Sequence, residues 1–159
     1  MLRSYHSILI ILIWIVPGKF TFVPHLHRPV NSNFQATGKI ELVINNIKNN
    51  KGVIRLGMYN NDVGYPDTPA TGFIFAKDTL KNGLLRVCIP VTGAGTYAFS
   101  VLDDENDNGR MDYVIGIIPR EGFGFSNNPK VSRKAPLFSE TSFRFESGSR
   151  KVEIRMVYF

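Results

Sequence analysis

Thr96-Tyr97-Ala98-Phe99-Ser100-Val101-Leu102 runs directly into Asp103-Asp104-Glu105-Asn106-Asp107-Asn108-Gly109-Arg110-Met111-Asp112, and this junction decides the fold. In its first half Tyr97, Phe99 and Val101 fall on one side of a two-residue period, the pattern of a half-buried strand. Gly93-Ala94-Gly95 turns the chain into it. A tyrosine just inside a strand after a glycine corner matches the tyrosine corner of Greek-key sandwiches, whose hydroxyl ties back to nearby backbone. The second half sets acidic and amide side chains at alternate positions around one glycine. It reads either as a calcium-type loop or as a tight acidic hairpin between two strands.

Outward from this junction the same period recurs. Upstream, Ile40, Leu42 and Ile44 alternate with Lys39, Glu41 and Val43, and Asn49-Asn50-Lys51-Gly52 supplies turn chemistry. Val53 to Tyr59 then returns with Ile54, Leu56 and Met58 on one face, so the two runs are expected to form a hairpin. Asn60 to Gly72 reads as a loop, Phe73 to Ala76 as a short strand, and Leu85, Val87 and Ile89 as another strand that Pro90 closes. Downstream, Tyr113 to Ile118 is apolar and ends at Pro119. Phe143 pairs with Phe145, Gly148 centres a polar turn, and Val152, Ile154, Met156 and Tyr158 alternate to the end. About seven short strands with sandwich-like spacing and no amphipathic helix predict an all-β fold. The expected architecture is a single antiparallel β-sandwich, Greek-key and immunoglobulin- or transthyretin-like.

With 159 residues, 43% of them hydrophobic, the chain is long enough for one packed domain. Arg3, the apolar run Ile8 to Val16 and Pro17-Gly18 have the layout of a secretory signal over residues 1–18. The run is shorter than the roughly 20 residues a membrane span needs. Residues 19–36, with Pro24, Pro29, His25 and His27 and no periodicity, read as a flexible tether, and residues 37–159 as the domain. Cys88 is the single cysteine, so no internal disulfide is available in an oxidising compartment. The net charge of +6 is scattered and lacks the basic, aromatic-interleaved stripe of a nucleic-acid binder. These features predict a secreted or periplasmic monomer without a membrane span in the mature chain.

Counted from Asp104, the oxygens of Asp104, Asn106 and Asn108, the carbonyl of Arg110 and Asp112 fall at the positions an EF-hand-type loop uses, with Gly109 at the sixth. The twelfth position is Ile115, so the bidentate glutamate is missing. A Ca2+ site here is expected to be weak, about 10⁻⁴ to 10⁻³ M, or to borrow Glu121. Five acids this close repel one another without a cation. The alternative is an Asn108-Gly109 hairpin turn with solvated acids.

Three segments together, Gly95-Thr96-Tyr97-Ala98, Asp104-Glu105-Asn106-x-Asn108-Gly109-x-x-Asp112 and Gly116-x-x-Pro119-x-Glu121-Gly122-Phe123-Gly124-Phe125-Ser126-Asn127-Asn128, resemble the secreted bacterial family called domain of unknown function 2141. The resemblance covers roughly Gly38 to Tyr158. It implies export and a compact β-domain, and it implies no activity. Family members often carry His-Asp-Glu-Asn where this chain has Asp103-Asp104-Glu105-Asn106, so no role of a family histidine carries over.

In the last of these segments Gly122 and Gly124 permit unusual backbone angles. One reading is a long ordered loop pinned on the sandwich by Phe123 and Phe125. The other is an exposed aromatic patch beside Glu121, with Ser126, Asn127 and Asn128 as hydrogen-bonding groups for a sugar or peptide ligand. No catalytic residue is assigned. His6, His25 and His27 all precede the domain, which removes histidine-based triads and zinc sites, and Cys88 reads as a small packed or half-exposed strand residue. The expectation is an exported, non-catalytic binding or accessory module of the bacterial envelope. The alternatives are a carboxylate-based hydrolase using Glu121 with Asp104 or Asp112, and a purely structural domain.

Overall fold

The computed structural model describes residues 37–131 and 134–159; the expected leader, 1–18, and tether, 19–36, lie outside them. The alternation noted above sends Ile40, Leu42 and Ile44 of β1 (Gly38–Asn45) into the core, opposite Ile54 and Leu56 of β2 (Val53–Tyr59). β3 (Thr71–Ala76), β4 (Leu85–Val91) and the long β5 (Gly95–Asp104) follow. A two-stranded ribbon, β6 (Tyr113–Val114) with β7 (Ile118–Pro119), precedes β8 (Gly122–Phe125). A single helical turn, α1 (Phe138–Thr141), leads to β9 (Phe143–Phe145) and β10 (Gly148–Arg155).

Two sheets make the sandwich: β10-β1-β4, and β3-β2-β5-β8 with β9 also paired to β5. Between them lie Ile40, Leu42, Ile44, Ile54, Leu56, Ile89, Phe99, Phe145, Ile154 and Met156, all at most 1% exposed. Burying side chains of this size contributes about 1.5–3 kcal/mol each, enough to hold a domain without a disulfide. Tyr97 completes the expected corner, its hydroxyl donating to the Gly93 carbonyl at 2.9 Å.

The hairpin expected from β1 and β2 does not form, because the two strands lie in opposite sheets. Each carries one apolar face, and crossing between sheets lets those faces meet across the core rather than lie side by side. Asn46, at φ 64°, turns the chain away from β1 and donates to the Met156 carbonyl at 2.7 Å. β1 pairs instead with β4 antiparallel and with β10 in parallel register, Gly38 opposite Gly148. Pro90 does not close its strand either. β4 continues to Val91 at the sheet edge, where a proline leaves no central ladder broken. Cys88 on this strand is exposed. Among the described residues no helix is long and apolar enough to cross a membrane.

Candidate functional site

β5 runs two residues past Leu102, so Asp103 and Asp104 belong to the strand and point to opposite faces of its sheet. Both are fully buried, and each is met by a cation from a neighbouring segment. On the core side, Lys77 continues the Phe73 and Phe75 face of β3 and its Nζ donates to Asp103 Oδ1, the two side chains being 1% and 0% exposed. The same Nζ donates to the Lys51 carbonyl at 2.5 Å, and the Tyr158 hydroxyl donates to Asp103 Oδ2 at 2.6 Å. Burial pushes the Asp103 carboxyl above the ordinary aspartate range, and the hydrogen bonds from Lys77 and Tyr158 pull it partly back. Tyr158 is itself raised, by burial first and then by its bond to Asp103.

On the outer face Arg55 Nε donates to Asp104 Oδ2 at 2.5 Å, and Arg55 Nη2 to Asp107 Oδ1 at 2.6 Å. Asp104 also accepts the main-chain N–H of Asn108 at 3.0 Å and of Gly109 at 2.8 Å. Asn106 Oδ1 accepts the Asn108 N–H, and Asn108 Oδ1 accepts that of Arg110. The amide groups of Asn106 and Asn108 both donate to Asp112 Oδ2, at 2.7 and 3.0 Å. Glu121 closes the base, its two oxygens accepting the N–H of Glu105 and of Asp112 at 3.1 Å each. Burial raises its carboxyl, and the Asp112 and Glu105 amides oppose the shift.

Asp104, Asn106, Asn108 and Asp112 therefore come together, as the calcium reading requires, but their side-chain oxygens accept from the loop's own donors, Arg110 joins through its N–H, and the Arg55 guanidinium supplies positive charge. Among the described residues, no three His, Cys, Asp or Glu side chains gather as a metal site would. Nor is the loop a tight hairpin. β5 pairs next with β8, and residues 105–121 make an excursion that carries the β6–β7 ribbon. Arg55 and Lys77 were the residues missed in the sequence. Each stands as a lone cation in or just after an apolar strand, and two consecutive aspartates at a strand end need one cation per face.

Within the Glu121 to Asn128 segment, Gly122–Phe125 form β8 and Ser126-Asn127 turn the chain out of it, rather than making a long loop or an exposed patch. Gly122 and Gly124 are required by close approach and not by unusual angles. A Cβ at Gly122 would stand 2.3 Å from the Tyr158 ring, and one at Gly124 2.7 Å from Ile154 Cγ2. Phe123 and Phe125 are 9% and 8% exposed. Ser126 is fully buried, with Oγ accepting the Phe99 N–H at 2.8 Å and donating to the Thr141 carbonyl at 2.6 Å. Asn127 and Asn128, at φ 62° and 48°, donate to the Ser142 and Glu153 carbonyls at 2.8 and 2.9 Å. The polar groups expected to greet a sugar or peptide thus hold main chain in place.

The concave feature of this face is a groove of about 1210 Å³ over the outer side of the β3-β2-β5-β8 sheet. Gly57, Ser100, Leu102, Phe123 and Phe125 form its floor, while Ile117 and Ile118 of the ribbon, Pro66, Asp67, Lys134 and Phe159 border it. Arg55 and Arg110 reach it from the acidic loop. The turn of the ribbon is apolar and exposed, with Ile115 86% and Ile117 77% exposed. Its sequence signal was the run Tyr113 to Ile118, too short and too glycine-interrupted to be a core strand.

A family model described as an uncharacterised protein conserved in bacteria, DUF2141, matches residues 42–153. No curated protein and no solved structure matches the chain.

Proposed function

The chain belongs to the DUF2141 family of uncharacterised bacterial proteins, and from that premise we propose that it is a non-catalytic binding module exported to the cell envelope, with the groove over the β3-β2-β5-β8 sheet as its ligand site. The lining of the groove carries this reading. Sites for small ligands are concave and mostly apolar, typically about 300–1,000 Å³, and this groove joins buried phenylalanines on its floor to exposed isoleucines on its wall. Apolar side chains on a ribbon that covers no core are not explained by folding and mark an interaction surface.

The carboxylates of the hydrolase alternative speak against catalysis, since both oxygens of Asp104 and both of Glu121 are engaged by main-chain amides. Residues 37–159 contain no histidine to replace them. Export is supported by the charge, apolar run and break of residues 1–18. In this reading calcium is not needed, because Arg55 balances the acidic loop. The test is a titration with the uncharged dye Nile red. One saturable site is expected, and Leu102→Trp, which fills the floor, should abolish it without lowering the melting temperature. Dye binding that ignores Leu102→Trp overturns the assignment.

A further inference from the structure

We propose that the ligand of this groove is a single-chain amphiphile with a carboxylate head, a long-chain fatty acid; the proposal rests on the groove reading above and names its ligand class. The floor offers little to a polar molecule. The Ser100 hydroxyl is already shared with that of Tyr59 at 3.1 Å, the strand backbones are paired in their ladders, and Leu102, Phe123 and Phe125 present hydrocarbon. A sugar would leave its hydroxyls without partners there, which disfavours it strongly.

Charge then selects the head group. Among the described residues, four charged ones reach the groove: Arg55, Arg110, Lys134 and Asp67. Arg55 is balanced by Asp104 and Asp107. Arg110 is held only by a 3.7 Å approach to Asp112 and its side chain is half exposed, and Lys134 is exposed. Against these two cations stands one carboxylate, Asp67. The rim therefore favours an anion beside an apolar trough. Ile117 and Ile118 of the ribbon carry the apolar lining up to the rim, where an aliphatic chain would enter.

Each methylene buried should tighten binding about fourfold, so affinity must climb with chain length until the groove is full. The experiment is displacement of a fluorescent polyene fatty acid from the full chain by dodecanoate, tetradecanoate, hexadecanoate and hexadecanol. The apolar run of residues 8–16 is common to every variant, so the part of each ligand's affinity that Leu102→Trp removes is read as the groove's. Hexadecanoate is expected to bind at least about tenfold more tightly than dodecanoate and clearly more tightly than the alcohol. The double variant Arg110→Glu/Lys134→Glu should erase the preference for acid over alcohol while keeping the alcohol's affinity and the circular dichroism spectrum. Ile118→Glu should weaken both.

If alcohol and acid bind equally, the carboxylate proposal is overturned and the groove stands. The same holds if neither displaces the probe while Nile red still saturates a Leu102-dependent site. Loss of both signals removes the groove reading itself. Binding only to lipid vesicles, with none to the free acid, also overturns the proposal.

Discussion

Replacing Lys77 by methionine removes an ammonium and keeps an apolar stem of similar length, which isolates the charge. It leaves the Asp103 carboxyl fully buried with Tyr158 as its remaining side-chain donor. Breaking a buried pair by removing one partner costs about 3–5 kcal/mol. The cost has a ceiling, because the orphaned carboxyl can take up a proton. From an unfolded pKa of about 3.9 at 1.36 kcal/mol per unit, that ceiling is about 4 kcal/mol at pH 7 and about 1.5 kcal/mol at pH 5. The sign follows from linkage: burial already raises the folded pKa of Asp103, and losing Lys77 raises it further. The native state then holds a proton that the unfolded state has lost, so the variant's stability falls as pH rises above about 4. Equilibrium urea unfolding should show Lys77→Met about 3–4 kcal/mol less stable than the parent at pH 7, with the gap shrinking by roughly half or more at pH 5. Lys77→Met/Asp103→Leu should recover most of the loss, since apolar replacement of a buried pair is often neutral. A loss below about 1 kcal/mol at pH 7, or one equal at both pH values, would refute the buried, desolvated pair.

Three further outcomes follow from the same geometry. Gly122→Ala drives a methyl into the Tyr158 ring, 2.3 Å from its nearest atom; overpacking of this kind costs about 1–3 kcal/mol and should appear as a lower thermal midpoint, together with weakened Tyr158 support for Asp103. Tyr97→Phe removes the corner hydrogen bond to Gly93 and should cost about 1 kcal/mol in urea unfolding with no change in dye binding. Millimolar calcium and EDTA should give coincident thermal melts, because Asp104 is already occupied by Arg55 and two amides; a calcium-dependent rise that vanishes in Asp112→Ala would restore the metal reading.

The strands were legible because period-two patterning is local, and Tyr97 announced its corner by standing two residues after Gly95. Which strands pair was not legible. The turn at Asn49 to Gly52 has the same composition whether it closes a hairpin or crosses the core, and the choice depends on where β10 lies. The acidic loop illustrates a different limit. Alternating oxygens are what both a cation cage and a self-capped loop need, and the deciding charge, Arg55, is 49 residues upstream of Asp104. Gly122 and Gly124 were read as angle-permitting residues, yet their reason is the space taken by Tyr158 and Ile154, which no window of local sequence contains. The groove is assembled from at least six separated segments, so the sequence showed only its parts: an apolar ribbon and two phenylalanines.

The parallel pairing of β1 with β10 bears on when this domain can exist at all. Asn46 and Met156, bonded across that junction, are 110 residues apart, and β1 is the central strand of its sheet. Until β10 has emerged, β1 keeps a bare edge, and the contact that closes it is strongly non-local. Such contacts form late and slowly, on a scale of milliseconds to seconds. A polypeptide whose central strand keeps an unpaired edge until β10 is made remains threadable, which is what the export proposed above would require of it.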